Sequence, residues 1–132
     1  MKSFKVGSIA FVVLGILHIA VQALGILSRS ASTIAMKHSM EMHKINLIGE
    51  HNLLQFYLGF SFMMGFLLSA FGVQNLLIVN TLNKKICIVT IGFTSIGLLI
   101  SILYFHLLAT SFILFSLICY IISYRILMKS YN

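Results

Sequence analysis

The order of apolar and polar positions divides the chain into four long apolar runs joined by polar segments. The runs cover residues of about 6–27, 53–79, 86–105 and 107–128. Each approaches or exceeds the length of about 20 residues that a helix needs to cross the hydrocarbon core of a bilayer. The pattern therefore predicts an all-α fold, a four-transmembrane-helix bundle that forms a single integral membrane domain over residues 1–132.

The composition indicates that lipid, and not water, surrounds most of the chain. Of its 132 residues, 60% are hydrophobic and 8% are charged, whereas a soluble domain carries about 25% charged residues. The formal net charge is +7, but the basic residues stand in ones and twos and form no face that could follow nucleic-acid phosphates. We therefore expect a lipid bilayer as the main partner and no binding of nucleic acid.

The basic residues predict the direction of the helices. Six lie near the N-terminus, in the second connection or near the C-terminus: Lys2, Lys5, Lys84, Lys85, Arg125 and Lys129. Three lie in the first connection, residues 28–52: Arg29, Lys37 and Lys44. Basic residues concentrate on the cytoplasmic side of membrane proteins. The count predicts a plasma (inner) membrane protein with both termini in the cytoplasm and an outer loop at 28–52.

The outer loop contains a cluster of methionine and histidine. A short amphipathic helix is predicted at about 34–48, with candidate N-caps Ser30, Ser32 and Thr33. On that helix Met36, Met40, His43 and Leu47 share a face, and thioether and imidazole groups suit Cu(I). The same spacing is typical of a helix that lies on the membrane or caps the bundle. We favour the capping helix and expect no cofactor.

Small residues recur at helical spacing on two of the predicted helices. Ser61, Gly65 and Ser69 follow one another at every fourth position, and Gly97 and Ser101 repeat the spacing. Small residues allow the backbones of two helices to approach closely in a membrane. The partner helix belongs either to the same bundle or to a second copy of the chain, and both interpretations remain open.

Two polar side chains lie near the middle of the first span. His18 is followed one helical turn later by Gln22, on the same face. Polar groups at that depth are costly and usually face the interior of a bundle. One interpretation is a proton relay or a ligand contact. The other is a neutral histidine that hydrogen-bonds to a Ser, Thr or carbonyl group of a neighbouring helix.

Three further polar side chains are expected at the outer membrane surface. Glu50 and His51 precede the second span, and His106 separates the third span from the fourth. A carboxylate and two imidazoles could bind a ligand or perform acid–base chemistry if they converge. Solvated helix ends are the alternative. Phosphate-binding loops, serine triads and dinucleotide glycine motifs are missing, so no catalytic residue is predicted.

Two short segments resemble a known group of proteins. They are Gly15–His18 (GILH) in the first helix and Gln55–Ser61 (QFYLGFS) at the start of the second. The pair resembles small bacterial four-helix integral membrane proteins of unknown function, which combine G-x-x-H with aromatic-x-G-F-S. The resemblance implies a four-helix fold in a bacterial inner membrane and implies no particular reaction.

Two functions from different classes follow from these observations. The first is a non-enzymatic polytopic protein that acts through helix association, either with a second copy or as an accessory subunit of another membrane protein. The second is a small transporter or ligand-binding protein. Its pocket would be lined by His18 and Gln22, with Glu50, His51 and His106 at the mouth. Copper binding through the outer loop is a minor third possibility.

Overall fold

A computed structural model describes residues 2–46 and 49–130, with the backbone alone at residues 46 and 130. Within these residues the chain forms five α-helices, one 3₁₀ turn and two short strands. The helices are α1 Lys2–Leu27, α2 Ala31–Met42, α3 Leu53–Leu77, α4 Lys84–Tyr104 and α5 Leu107–Ser130. The 3₁₀ turn, Ile78–Thr81, follows α3 directly, and the strands are β1 Lys44–Asn46 and β2 Glu50–Asn52.

Four of these helices, α1, α3, α4 and α5, are long and apolar enough to cross a membrane. Their bounds match the four predicted runs closely, and the largest difference is that α1 begins at Lys2. Only 22% to 33% of the residues in each apolar window are buried. So large an exposed apolar surface is unfavourable in water. The prediction of four apolar helices is confirmed, and they indicate a multi-pass membrane protein.

The chain divides into two compact units. The first comprises Met1–Leu14 and Leu68–Asn132, and the second comprises Gly15–Leu67. The first unit therefore holds the start of α1, the end of α3 and the whole of α4 and α5. The second holds the rest of α1 and α3 with α2 and the two strands between them.

Aromatic side chains form the centre of the first unit. The buried cluster consists of Phe4, Phe11, Leu14, Val79, Cys87, Ile113, Tyr120 and Leu127. The ring centroids of Phe4 and Tyr120 are 4.9 Å apart, and the rings of Phe11 and Phe71 meet edge to face at 4.9 Å. Such pairs contribute about 0.5–1.5 kcal/mol beyond their buried area. They bring α1, α3 and α5 together around one core.

Short connections make neighbouring helices antiparallel. Six residues, 78–83, join α3 to α4, and two residues, 105 and 106, join α4 to α5. Along α1 and α3, contacts occur in opposite order, since His18 pairs with Ser61 and Gln22 pairs with Tyr57. The beginnings of α1 and α4 and the ends of α3 and α5 therefore lie at the same end of the first unit.

Gly72 allows α1 and α3 to approach until their backbones touch. A Cβ atom at residue 72 would lie 2.6 Å from the carbonyl oxygen of Ser8 and 2.8 Å from the amide nitrogen of Val12. Both neighbours are backbone atoms of α1, so they cannot move aside by a change of rotamer. At Gly97, on α4, an added Cβ would meet no atom within 4 Å in the described part of the chain.

The segment predicted as the outer loop, residues 28–52, differs from the predicted single helix over 34–48. Helix α2 begins at Ala31 and ends at Met42. Residues 44–46 and 50–52 instead pair as an antiparallel hairpin. Gly49 has a φ of +92°, a conformation that glycine adopts without steric cost and that favours reversal of the chain. The predicted helix was therefore too long at its C-terminal end, and its residues Leu47 and Ile48 lie outside the described residues.

The start of α2 follows the expected capping chemistry. Ser30 is the N-cap, and its Oγ accepts a hydrogen bond from the backbone N–H of Thr33 at 3.3 Å. Of the three candidates, Ser30 is therefore the residue that caps the helix. Helix α2 has no buried residue, so it packs only loosely against the rest of its unit.

The contrast between Gly72 and Gly97 predicts different effects of the same substitution. We expect Gly72→Ala to lower the free energy of unfolding by about 1–3 kcal/mol, since overpacking against fixed backbone is destabilising. Gly97→Ala should be neutral or slightly stabilising in the monomer, because the methyl group enters open space. Denaturant unfolding of both variants in the same detergent measures the difference. Equal stability of the two variants would contradict the close approach at Gly72.

Candidate functional site

His18 and Gln22 both bond to α3 in the second unit. The Nε2 atom of His18 lies 3.0 Å from the Oγ of Ser61, and the tautomer of the imidazole decides which atom donates. One turn further along α1, the Nε2 of Gln22 donates a hydrogen bond to the hydroxyl oxygen of Tyr57 at 3.2 Å. We call these four residues the polar seam. Its two side-chain pairs connect α1 to α3 along successive turns.

Gly65 lies next to the polar seam and determines how closely the helices pack. A Cβ at residue 65 would lie 2.6 Å from the Cγ1 of Ile19, 3.0 Å from the carbonyl oxygen of Gly15 and 3.3 Å from the Cδ2 of His18. The imidazole of His18 therefore packs against α3 at Gly65, where the helix carries no side chain, while it bonds to Ser61. This is the environment expected of a histidine that joins two helices.

Ser61 and His18 are also the residue types that act as nucleophile and general base in a serine–histidine catalytic set. A serine–histidine catalytic set requires a third group that orients the imidazole, most often a carboxylate. The chain has two acidic side chains, Glu41 and Glu50. Glu41 lies on α2, and the Glu50 side chain is 86% exposed and 4.0 Å from the Nζ of Lys44. The geometry of the seam thus fits helix pairing better than acyl transfer.

Glu50, His51 and His106 occupy two different units. Glu50 and His51 lie on β2 in the second unit, and both are exposed. His106 belongs to the first unit and lies directly before α5. Its Nδ1 accepts a long hydrogen bond of 3.5 Å from the backbone N–H of Ala109, as an N-cap side chain does. Convergence of the three side chains stays a prediction.

The Met and His residues of the outer loop are distributed between α2 and its end. Met36 and Met40 lie on α2, and His43 is the residue that follows its last turn. The Nδ1 of His43 donates to the carbonyl oxygen of Ser39 at 2.8 Å. Among residues 2–46 and 49–130, no three His, Cys, Asp or Glu side chains form a group that could hold a metal ion. Copper binding by Met36, Met40 and His43 stays a prediction.

The small residues predicted for helix packing have different surroundings. Ser69 on α3 has a buried hydroxyl for which the described residues provide no hydrogen-bond partner. Ser101 on α4 is fully buried, and its Oγ lies 2.9 Å from the Oγ1 of Thr110 on α5. Gly97, one turn before Ser101, borders open space. Ser101 therefore contacts α5, whereas Gly97 is accessible from outside the first unit.

A buried polar network in the first unit was not predicted from the sequence. The Tyr120 hydroxyl on α5 donates to the Oγ of Ser8 on α1 at 3.3 Å and accepts from the Nδ2 of Asn75 on α3 at 3.4 Å. The Oγ1 of Thr90 on α4 donates to the Oδ1 of Asn75 at 3.5 Å. These four residues form what we call the four-helix network, since each comes from a different helix.

Burial makes the four-helix network important for stability. Ser8 and Tyr120 are fully buried, and Asn75 and Thr90 are 3% and 4% exposed. A buried polar group that loses its partner carries the full cost of its desolvation. The available sequence signal was Asn75, an amide within an apolar run. The spacing of the residues could not reveal its partners, since they are 15 and 45 positions away.

Comparison with known proteins finds no relative of this chain: no protein-family model, no curated protein and no solved structure matches it. The contacts within the chain therefore carry the functional argument. Among these contacts, the two segments Gly15–His18 and Gln55–Ser61 meet along the polar seam. Pairing of α1 with α3 is a physical reason for both short motifs to occur together.

The polar seam predicts a small and measurable coupling between His18 and Ser61. His18→Leu and Ser61→Ala should each leave the protein folded, because a hydrogen bond between helices of a membrane protein averages about 0.6 kcal/mol. A double-mutant cycle from unfolding in detergent should give a coupling energy of that size. Additive effects of the two substitutions would show that the bond contributes nothing.

The four-helix network predicts a larger effect for its central hydroxyl. Tyr120→Phe removes the acceptor of Asn75 and should lower the free energy of unfolding by about 1–3 kcal/mol. Tyr57→Phe is the matched control, because its hydroxyl bonds to Gln22 at an exposed position, and its effect should stay within about 0.5 kcal/mol. Thermal unfolding of both variants in one detergent is the measurement. A greater loss from Tyr57→Phe would contradict the assignment.

Proposed function

We propose that this chain is a small, non-enzymatic, polytopic inner-membrane protein that acts through helix association. Its partner is a second copy of the chain or another membrane protein that it serves as an accessory subunit. The observation that carries the proposal is the use of the polar side chains within the spans. The polar seam and the four-helix network bond to other helices of the same chain. The interior thus serves packing, and function is assigned to the outer surface.

The exposed side of α4 is the surface that best fits a partner helix. Phe93, Ile96 and Ile100 are 64%, 57% and 46% exposed and surround Gly97. Gly97 itself borders open space within the described part of the chain. A small residue flanked by large apolar ones allows a second helix to approach closely. We name Phe93, Ile96, Gly97 and Ile100 the α4 face.

Location and direction complete the proposal. Six basic residues stand at the ends that share one side of the first unit, and the rule for basic residues assigns that side to the cytoplasm. Both termini are then cytoplasmic, and α2 and the hairpin lie outside. The resemblance carried by Gly15–His18 and Gln55–Ser61 supports a bacterial inner membrane.

Disulfide crosslinking in native membranes tests association through the α4 face. In a variant that lacks Cys87 and Cys119, Gly97→Cys should form a crosslinked dimer or an adduct with a larger protein. Ile102→Cys is the matched control, because Ile102 is also exposed on α4 but lies about 140° from Gly97 around the helix and away from the other members of the α4 face. A monomer in native mass spectrometry from lipid, without a co-purifying protein and without a Gly97→Cys crosslink, would reject helix association.

The second candidate function is binding or transport of a small ligand at the polar seam. The observation in its favour is exposure: Tyr57 is 43% exposed, and the hydrogen bond from Gln22 to Tyr57 lies at the surface of its unit. A polar ligand could replace that bond. The sequence predicts that Glu50 and His51, which belong to the same unit as the polar seam, stand at the mouth of such a site.

The His18→Leu variant separates the two functions. If the polar seam binds a ligand, His18→Leu should leave expression and thermal stability intact and abolish the growth phenotype of the wild-type gene. If the seam serves packing alone, the phenotype should persist. Stability and growth must therefore be measured side by side on the same variant, with Ser61→Ala as a second variant of the same pair.

A further inference from the structure

Six basic side chains surround one end of the first unit. They lie at the beginnings of α1 and α4 and near the end of α5, and all six are exposed: Lys2, Lys5, Lys84, Lys85, Arg125 and Lys129. The antiparallel order of the helices brings these ends together. We call this set the basic collar.

The four-helix network links α1, α3, α4 and α5 at one level, so the depth of each collar residue can be measured from it along its helix. Lys2 and Lys5 precede Ser8 by six and three residues, Lys84 and Lys85 precede Thr90, and Arg125 and Lys129 follow Tyr120. At a rise of 1.5 Å per residue, the six Cα atoms stand about 5–14 Å beyond the network. The collar therefore forms a band about 9 Å deep, where a helix of spanning length leaves the hydrocarbon and meets the lipid headgroups.

No acidic side chain balances the collar within its unit. The two carboxylates of the chain, Glu41 and Glu50, both belong to the second unit. The six positive charges of the first unit therefore remain uncompensated by any Asp or Glu of that unit. Such a band attracts anions and repels cations. In about 0.1 M salt this effect extends to about 10 Å, beyond which dissolved ions screen it.

An open groove on α5 lies beside two members of the collar. Its volume is about 350 Å³, and its lining consists of Ile122, Tyr124, Arg125, Ile126, Met128 and Lys129. The lining combines apolar side chains with two cations. That combination matches a molecule with a negative head and an apolar tail. It does not match a soluble anion, which would gain nothing from the isoleucine and methionine side chains.

We propose that the basic collar binds anionic phospholipid at the groove on α5. The guanidinium of Arg125 and the ammonium of Lys129 contact the phosphate, and an acyl chain lies against Ile122 and Ile126, which share their face of α5. A guanidinium presents paired N–H donors that match phosphate oxygens. Clusters of four to eight basic residues at the cytoplasmic end of spanning helices are typical of anionic lipid recognition. The proposal rests on insertion in a membrane and does not depend on helix association.

Lipid titration followed by native mass spectrometry tests the site. The delipidated wild-type protein should retain phosphatidylglycerol in preference to phosphatidylcholine of the same acyl chains. Each basic side chain near a membrane surface contributes about a fivefold gain in affinity for anionic lipid. The double variant Arg125→Gln with Lys129→Gln should therefore bind phosphatidylglycerol about 25-fold more weakly than the wild-type protein.

The control variant loses the same charge elsewhere. Arg29→Gln with Lys44→Gln removes two exposed basic residues from the second unit and should leave phosphatidylglycerol binding unchanged. Unfolding measured in phosphatidylcholine alone establishes whether both double variants are folded. If the Arg125→Gln, Lys129→Gln double variant is not folded, the single variant Lys129→Gln replaces it. Equal retention of the two lipids by the wild-type protein would overturn the proposal. Equal losses in the two double variants would also overturn it, as would displacement of the lipid by millimolar inorganic phosphate.

Discussion

The hydrogen bonds of the buried Tyr120 hydroxyl set the arrangement on which the rest of the first unit depends. In an apolar environment a polar side chain without a partner is costly, so a buried donor or acceptor needs a partner to avoid that cost, and a neighbouring helix can supply it. Tyr120 meets that requirement through Ser8 and Asn75, and Asn75 in turn accepts from Thr90. Four helices are thereby held at one mutual rotation. Apolar packing alone specifies such a rotation weakly, because lipid tails are as apolar as leucine side chains.

The contact between α1 and α3 also depends on polar side chains that find partners, and here glycine residues contribute as well. Gly72 in the first unit and Gly65 in the second allow the backbone of α3 to approach α1 closely. In the second unit His18 and Gln22 can reach Ser61 and Tyr57 because the helices are so close there. Small residues and polar partners therefore act together. The glycine provides the proximity, and the hydrogen bond selects the register.

Because the interior polar side chains hold the helices together, function is assigned to the outside of the molecule. The side chains of the polar seam and of the four-helix network are bonded to other helices of the chain. What faces outward is apolar surface along α4, basic side chains at one end and the α2–hairpin segment between α1 and α3. The protein is therefore proposed to act through what it contacts in the plane and at the surface of the membrane. Both proposals made for it, a helix partner and an anionic lipid, belong to that class.

The amino-acid sequence by itself determined the number, type and approximate bounds of the spanning helices. In lipid, the backbone N–H and C=O groups of a long apolar run must be hydrogen-bonded within the run, and a helix satisfies that requirement. The sequence also offered Ser30 as one of three N-cap candidates, since capping depends on neighbouring residues, and the structure selected it. The hairpin of residues 44–46 and 50–52 was missed because Leu47 continues the helical spacing of Met36, Met40 and His43, so Gly49 fell just beyond the predicted helix.

Only the tertiary structure decided the partners of the polar side chains. Helical periodicity places His18 and Gln22 on one face of α1, but the rotation and register of α3 choose Ser61 and Tyr57. The sequence contains no local trace of that choice. The same holds for Tyr120 and Asn75, which are 45 positions apart and meet because four helices pack around them. Periodicity describes one helix at a time, whereas a hydrogen bond between helices depends on how two of them are placed.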